Sequence, residues 1–95
     1  MAELRYHPRI KSDLKSLPQQ LVTKPRSIHL PAIGEDPLQG STLSGPFKGV
    51  FSYHLRHART RYRIAYLYDG EQGLVTLLLI AERENFYQIL SRRLP

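Results

Sequence analysis

Six ionisable basic side chains crowd one stretch of fourteen residues, YHLRHARTRYRIAY (53–66): His54, Arg56, His57, Arg59, Arg61 and Arg63. No acid answers them, because none occurs between Asp36 and Asp69. Of the fourteen lysines and arginines in the chain, five fall in the acid-free span 37–68, four of them from Arg56 to Arg63. The formal net charge is +6. A balance of this kind suits a phosphate backbone, an acidic protein partner, or both. A merely solvated basic surface would scatter its charges, and these are clustered.

The clustered residues sit on patterns that read as β-strands. VFSYHLR alternates, with Phe51, Tyr53 and Leu55 on one face and Ser52, His54 and Arg56 on the other. RYRIAYLY alternates again, Tyr62, Ile64, Tyr66 and Tyr68 against Arg61, Arg63, Ala65 and Leu67. DGEQG (69–73) is a turn signal, and LVTLLLIAER (74–83) is a third strand, apolar on both faces and therefore central or covered on both sides. ENFYQILSRRL closes the chain as a short helix.

The first half is less regular. ELRYH (3–7) is a short strand, and PRIKSDLKSLP a helix whose Ile10, Leu14 and Leu17 share a face. The segment 18–34 places Leu21, Ile28 and Ala32 on one side, but Pro25 and Pro31 interrupt it, so a broken or kinked helix is expected. GEDPLQGSTLSGPFKG (34–49) reads as loop.

Helices grouped before strands argue for an α+β fold: a twisted antiparallel sheet of about four strands, two N-terminal helices on one face and a short C-terminal helix. The rows starting at Phe51 and Tyr62 should face the helices. His54, Arg56, Arg61 and Arg63 then lie on the opposite, open face. Arg83 shares strand parity with Leu77, Leu79 and Ala81, which would add it to the basic face beside an apolar floor that a partner helix could cover. The same parity turns Glu82 and Glu84 away from Arg83.

Ninety-five residues, 41% of them hydrophobic, make one domain spanning 1–95 with a single core. There is no cysteine, so neither a disulfide framework nor a thiolate metal site is available, which fits a reducing cytoplasm. The longest apolar run, LLLIA (77–81), is too short to span a bilayer, and no membrane partner is expected. His7, His29 and His57 lack the spacing of a metal site.

Three segments, in this order and spacing, resemble the RelE/ParE superfamily of type II toxin–antitoxin toxins. DPLQGSTLSGPFKGVFSYHLR is similar to the family's loop and entry into its second strand, TRYRIAYLYD to the following strand, and LLLIAERENFYQIL to the closing strand with its Arg-x-x-x-Tyr ending. LKSLP fits the first helix, so the resemblance covers nearly the whole chain. It implies a sheet with two helices on one side, a cognate antitoxin from a neighbouring gene, and one of two activities. One branch cleaves messenger RNA in the ribosomal A site; another poisons DNA gyrase. A catalytically inactive RelE-fold binding protein is a further possibility.

In the nuclease branch a basic residue on the second strand, an arginine on the third, and a C-terminal arginine and tyrosine do the work. Those positions fall on His54, Arg63, Arg83 and Tyr87 of this chain. The chemistry needs a base for the 2′-OH proton, cations for the pentacoordinate phosphorane and an acid for the leaving 5′-oxygen, with no cofactor and no metal. Imidazole titrates near neutral pH, guanidinium grips phosphate as a fork, and a phenol can stack on a base. Lys48, Arg56, Arg59 and Arg61 are expected to be general RNA contacts. The pattern departs from the nuclease branch at Ser52 and His54, where two lysines are usual, and in a hairpin loop, HARTR, that reads as slightly long.

Overall fold

The computed structural model describes residues 2–17 and 29–94. In chain order they form β1 (Glu3–Tyr6), α1 (Ile10–Ser16), α2 (Leu30–Glu35), β2 (Ser41–Thr42), β3 (Phe51–His57), β4 (Thr60–Asp69), β5 (Leu74–Glu82) and α3 (Phe86–Arg93). Single 3₁₀ turns occupy Gly45–Phe47 and Arg83–Asn85. The sheet has five strands in the order β1-β5-β4-β3-β2.

The α+β architecture is the expected one, with two differences. The loop 34–49 contributes the two-residue strand β2, which pairs with the start of β3. The sheet is also mixed, because β1 runs parallel to β5, from Glu3 opposite Leu74 to Tyr6 opposite Leu77. Of the broken helix expected over 18–34, the part at 18–28, with Leu21, Pro25 and Ile28, lies outside the described residues. Pro31 sits in the first turn of α2, where its missing N–H costs nothing. The buried residues of α2 are Leu30, Ile33 and Gly34 rather than Ala32.

Helices cover both sheet faces. On one, Ile10, Leu30 and Ile33 pack against Leu55, Tyr62, Ile64, Tyr66, Val75, Leu77 and Ile80, with Leu14, Leu17, Phe51 and Tyr53 at the margin. The tyrosines of β4 are thus core, as their alternation implies. On the other face, Phe86 and Leu90 of α3 pack on Val50, Ala65, Leu78, Leu79 and Ala81. The apolar floor therefore carries a cover from its own chain, and no partner helix is needed to bury it. Phe86 and Leu90 are both fully buried, each worth about 1.5–3 kcal/mol relative to exposure.

A bulge decides which residues form that floor. Ala65 pairs with Leu79 but Tyr66 pairs with Leu77, so Leu78 is an extra residue on β5. An extra residue reverses the alternation beyond it. Leu77 consequently faces α1 and α2, and only Leu79 and Ala81 of the expected row face α3.

The β3–β4 hairpin is tighter than its sequence suggests. His57 pairs with Thr60, which leaves Ala58 and Arg59 alone in the turn. Ala58 adopts φ 56°, a conformation that turns of this length require and that alanine adopts at a cost. The loop before β3 is fastened at Gly40, whose N–H donates to Tyr66 Oη at 3.1 Å while the phenol donates to Pro37 O at 2.7 Å. A Cβ at Gly40 would lie 2.6 Å from that phenol oxygen, so the approach requires glycine.

Candidate functional site

On the face that carries α3, the strand ladder sets His54 directly opposite Arg63 and Arg56 directly opposite Arg61. Two arginines facing each other across an antiparallel pair repel, a cost of the order of 0.2–1 kcal/mol. No carboxylate pairs directly with either arginine, for Asp13–Arg93 is the one ion pair among the described residues. Stability alone gives no reason to build this face.

Arg63 is fixed by the beginning of α3. Its guanidinium carbon lies 5.6 Å from the ring centroids of both Phe86 and Tyr87, within cation–π range. Its Nη1 donates to Tyr87 Oη at 3.1 Å. Phe86 is buried beneath, while Tyr87 remains 45% exposed. The Tyr87 ring is braced by Phe86, at 5.2 Å between centroids, and by Phe47, at 5.5 Å. That bond uses the phenol oxygen as acceptor, so the phenol proton stays available, and the exposed ring can stack on a base.

Arg83 leads the 3₁₀ turn after β5. With His54, Arg56, Arg61 and Arg63 it lines an open depression of about 410 Å³. Partial burial, then the positive charges of Arg63 and Arg83, push the His54 pKa below its ordinary value. Both effects favour the neutral imidazole, the form that accepts a proton. The two arginines and the histidine are near enough to feel one another, and all three address the same space.

The remaining expected contacts are placed as follows. Arg59 and Arg61 line a second depression of about 490 Å³ with Thr60, Glu82, Arg83 and Glu84. Lys48 is exposed at the end of the turn that carries Phe47. Ser52, expected on the open face, is 1% exposed, and its hydroxyl has no hydrogen-bond partner among the described residues. A lysine could not be accommodated there without rearrangement, so the one lysine-like position left open on this strand is that of His54. His29 shares a 2.8 Å hydrogen bond with Tyr53 on the helix side. No cluster of three His, Cys, Asp or Glu suited to a metal occurs among the described residues.

Two features escaped the sequence. Phe47 lies forty residues from Tyr87, and nothing in a loop of Gly, Pro and Ser marks it as a brace. Asp13 and Arg93, eighty residues apart, form a bidentate pair at 2.7 Å on both arms. Asp13 Oδ2 also accepts the Ile80 N–H at 3.1 Å, and Arg93 Nη1 donates to Leu78 O at 2.9 Å. β1 pairs with β5 only as far as Leu77, so this clasp satisfies the backbone of β5 where its neighbour ends. It also ties α1 on one face to α3 on the other.

This mixed five-stranded sheet with three helices matches the fold of the RelE toxins. The toxin–antitoxin complex RelBE2 from Mycobacterium tuberculosis contains a chain similar at 26% identity, TM-score 0.73, over 86% of this chain and 98% of that one. A free arginine-to-alanine variant of E. coli RelE is similar in fold at 21% identity, TM-score 0.71, over 99% and 100%. The intact E. coli RelBE toxin–antitoxin complex shares the fold at 16% identity, TM-score 0.68, over 85% and 95%. The chain itself belongs to the ParE-like toxins of type II bacterial toxin–antitoxin systems, whose family model matches residues 4–91. No curated protein matches it significantly. No helix among the described residues is long and apolar enough to cross a membrane.

Proposed function

We propose that this toxin is an endoribonuclease that cleaves messenger RNA, on the ribosome, by attack of the 2′-OH on the adjacent phosphate. Neutral His54 takes the 2′-OH proton. Arg63 and Arg83 hold the non-bridging oxygens as negative charge grows on the phosphorane. The P–O5′ bond breaks, the Tyr87 phenol supplies the proton to the leaving oxygen, and its ring stacks on a neighbouring base. The products are a 2′,3′-cyclic phosphate and a 5′-hydroxyl, formed without a cofactor. Lys48, Arg56, Arg59 and Arg61 contribute longer-range attraction for the strand.

The observation that carries this reading is the convergence of His54, Arg63 and Arg83 on one depression, with Tyr87 bonded to Arg63 at its rim. A surface built only for binding has no need of an imidazole whose neutral form is favoured by two neighbouring guanidiniums. The partner in restraint is a cognate antitoxin, as in the similar RelBE complexes, and an acidic segment laid over this face would silence it. Cytoplasmic residence follows from an RNA target of this kind.

Arg83→Ala tests the reading. Arg83 is exposed and its side chain makes no hydrogen bond or ion pair among those described, so the fold should survive. Induction of the wild type should arrest growth and produce discrete breaks by primer extension, and the variant should relieve both. Undiminished cleavage by a folded variant would remove Arg83 from the mechanism. The ParE-like family model supports a second reading, a toxin that poisons DNA gyrase by binding. It predicts DNA damage before translation stops, where the nuclease predicts the reverse order. Strong induction without arrest would instead indicate an inactive binding protein.

A further inference from the structure

Strand alternation would turn Glu82 and Glu84 away from Arg83, but the strand stops at Glu82 and Arg83–Asn85 is a 3₁₀ turn. The turn gathers all three side chains, with Arg59, Thr60 and Arg61, around the second depression of about 490 Å³. Arg61 and Arg83 line both depressions, so the two adjoin. Although guanidiniums and carboxylates share this second space, none of them has collapsed into an ion pair. Three cations against two anions leave it net positive, fit for a nucleotide, yet with two acceptors no phosphate would want.

We propose that this second depression is a base-reading subsite for the RNA nucleotide next to the cleaved phosphate, and that Glu82 and Glu84 make it prefer guanine. The inference rests on the reading of the chain as an RNA-binding toxin and adds to it the sequence choice. An ionised carboxylate only accepts hydrogen bonds. Guanine offers it two adjacent donors, N1–H and the N2 amino group, in the same fork that makes arginine a carboxylate partner. Uracil offers one, and cytosine and adenine offer an amino group without a neighbouring N–H. Arg59 and Arg61 hold the phosphate of that nucleotide, and Arg83 spans the step to the reacting one.

Binding of the full chain to a fluorescein-labelled hexaribonucleotide with one guanosine among uridines, 2′-O-methylated throughout to prevent cleavage, tests this at low salt. The counterpart carries inosine, which lacks only the N2 amino group. The guanosine strand should bind about tenfold more tightly, the scale of one hydrogen bond to a charged acceptor. In a Glu82→Gln/Glu84→Gln variant the ratio should fall toward one. Both residues are exposed, and circular dichroism checks that the variant folds. A wild-type ratio of one, or a ratio unchanged in the folded variant, overturns the subsite. Guanosine preference in a chain that does not cut RNA would refute the nuclease reading and leave the subsite standing. Cleavage indifferent to the flanking base, with no binding preference, would do the opposite.

Discussion

Removing the Asp13 carboxylate should damage this protein more than any change on its basic face. The pair with Arg93 is 9% exposed on either side. Asp13→Ala leaves the Arg93 guanidinium buried with Leu78 O as its one remaining partner among the described residues, and takes from the Ile80 N–H the acceptor it has there. Breaking a buried ion pair by deleting one member costs about 3–5 kcal/mol, and an orphaned buried amide about 1–3 kcal/mol. The two overlap, because one carboxylate serves both, so about 4 kcal/mol is expected. A domain of this length has roughly 5–14 kcal/mol in total. The loss should lower the melting temperature by roughly 15–30 °C.

Urea and thermal melts followed by circular dichroism read the effect, and a double variant gives it a mechanism. Asp13→Leu/Arg93→Met removes more polar contacts than Asp13→Ala alone but buries no unpaired charge. It should be the more stable of the two, and its loss should be well below the sum of the single losses. An Asp13→Ala variant within about 1 kcal/mol of wild type, or additive losses, would refute the clasp as described. The consequence reaches the site, since α3 starts with the residues that hold Arg63. Without the clasp, that helix is kept on the sheet by apolar packing, chiefly of Phe86 and Leu90 with Ile89 and Leu94 at the margin.

His54 has its pKa lowered by partial burial and by Arg63 and Arg83, so the acid limb of a pH–rate profile should lie below pH 6.5; Arg83→Ala should move it upward, and an unmoved limb would deny His54 the role of base. The same shift acts on folding: the His54 contribution is intact above the unfolded value of 6.5 and is lost as pH falls through the lower folded value, which is visible as Tm against pH in wild type but not in His54→Gln. Ala58→Gly should stabilise the hairpin by up to about 1 kcal/mol by relieving the positive φ, measured by urea denaturation; a destabilised variant would mean the turn is unstrained. Ser52→Ala should be neutral or stabilising, because it deletes a buried hydroxyl without a partner; a loss above about 1 kcal/mol would mean that hydroxyl is satisfied by water or backbone.

How much of this was legible follows from how far each cause lies from its effect along the chain. The alternation in 51–56 and 61–68 reports which side chains face α1 and α2, because strand geometry has period two whatever else happens. His54, Arg56, Arg61 and Arg63 therefore emerge on one face, as their parity demands. Where the backbone departs from period two, parity fails. One extra residue at Leu78 moves Leu77 to the other side of the sheet. A 3₁₀ turn after Glu82 brings two acids beside Arg83 that a continuing strand would have turned away. Neither event has a local signal, since a bulge in an apolar run swaps one leucine for another and a turn at Arg-Glu-Asn uses no glycine or proline. Long-range pairs leave still less trace: Phe47 with Tyr87, and Asp13 with Arg93, meet only because the finished sheet carries them together. The departures are also what distinguish the site. An ideal strand would have left Arg83 at the end of an apolar row with Glu82 and Glu84 turned to the other side, whereas the broken one sets both carboxylates against Arg59, Arg61 and Arg83 beside the basic face.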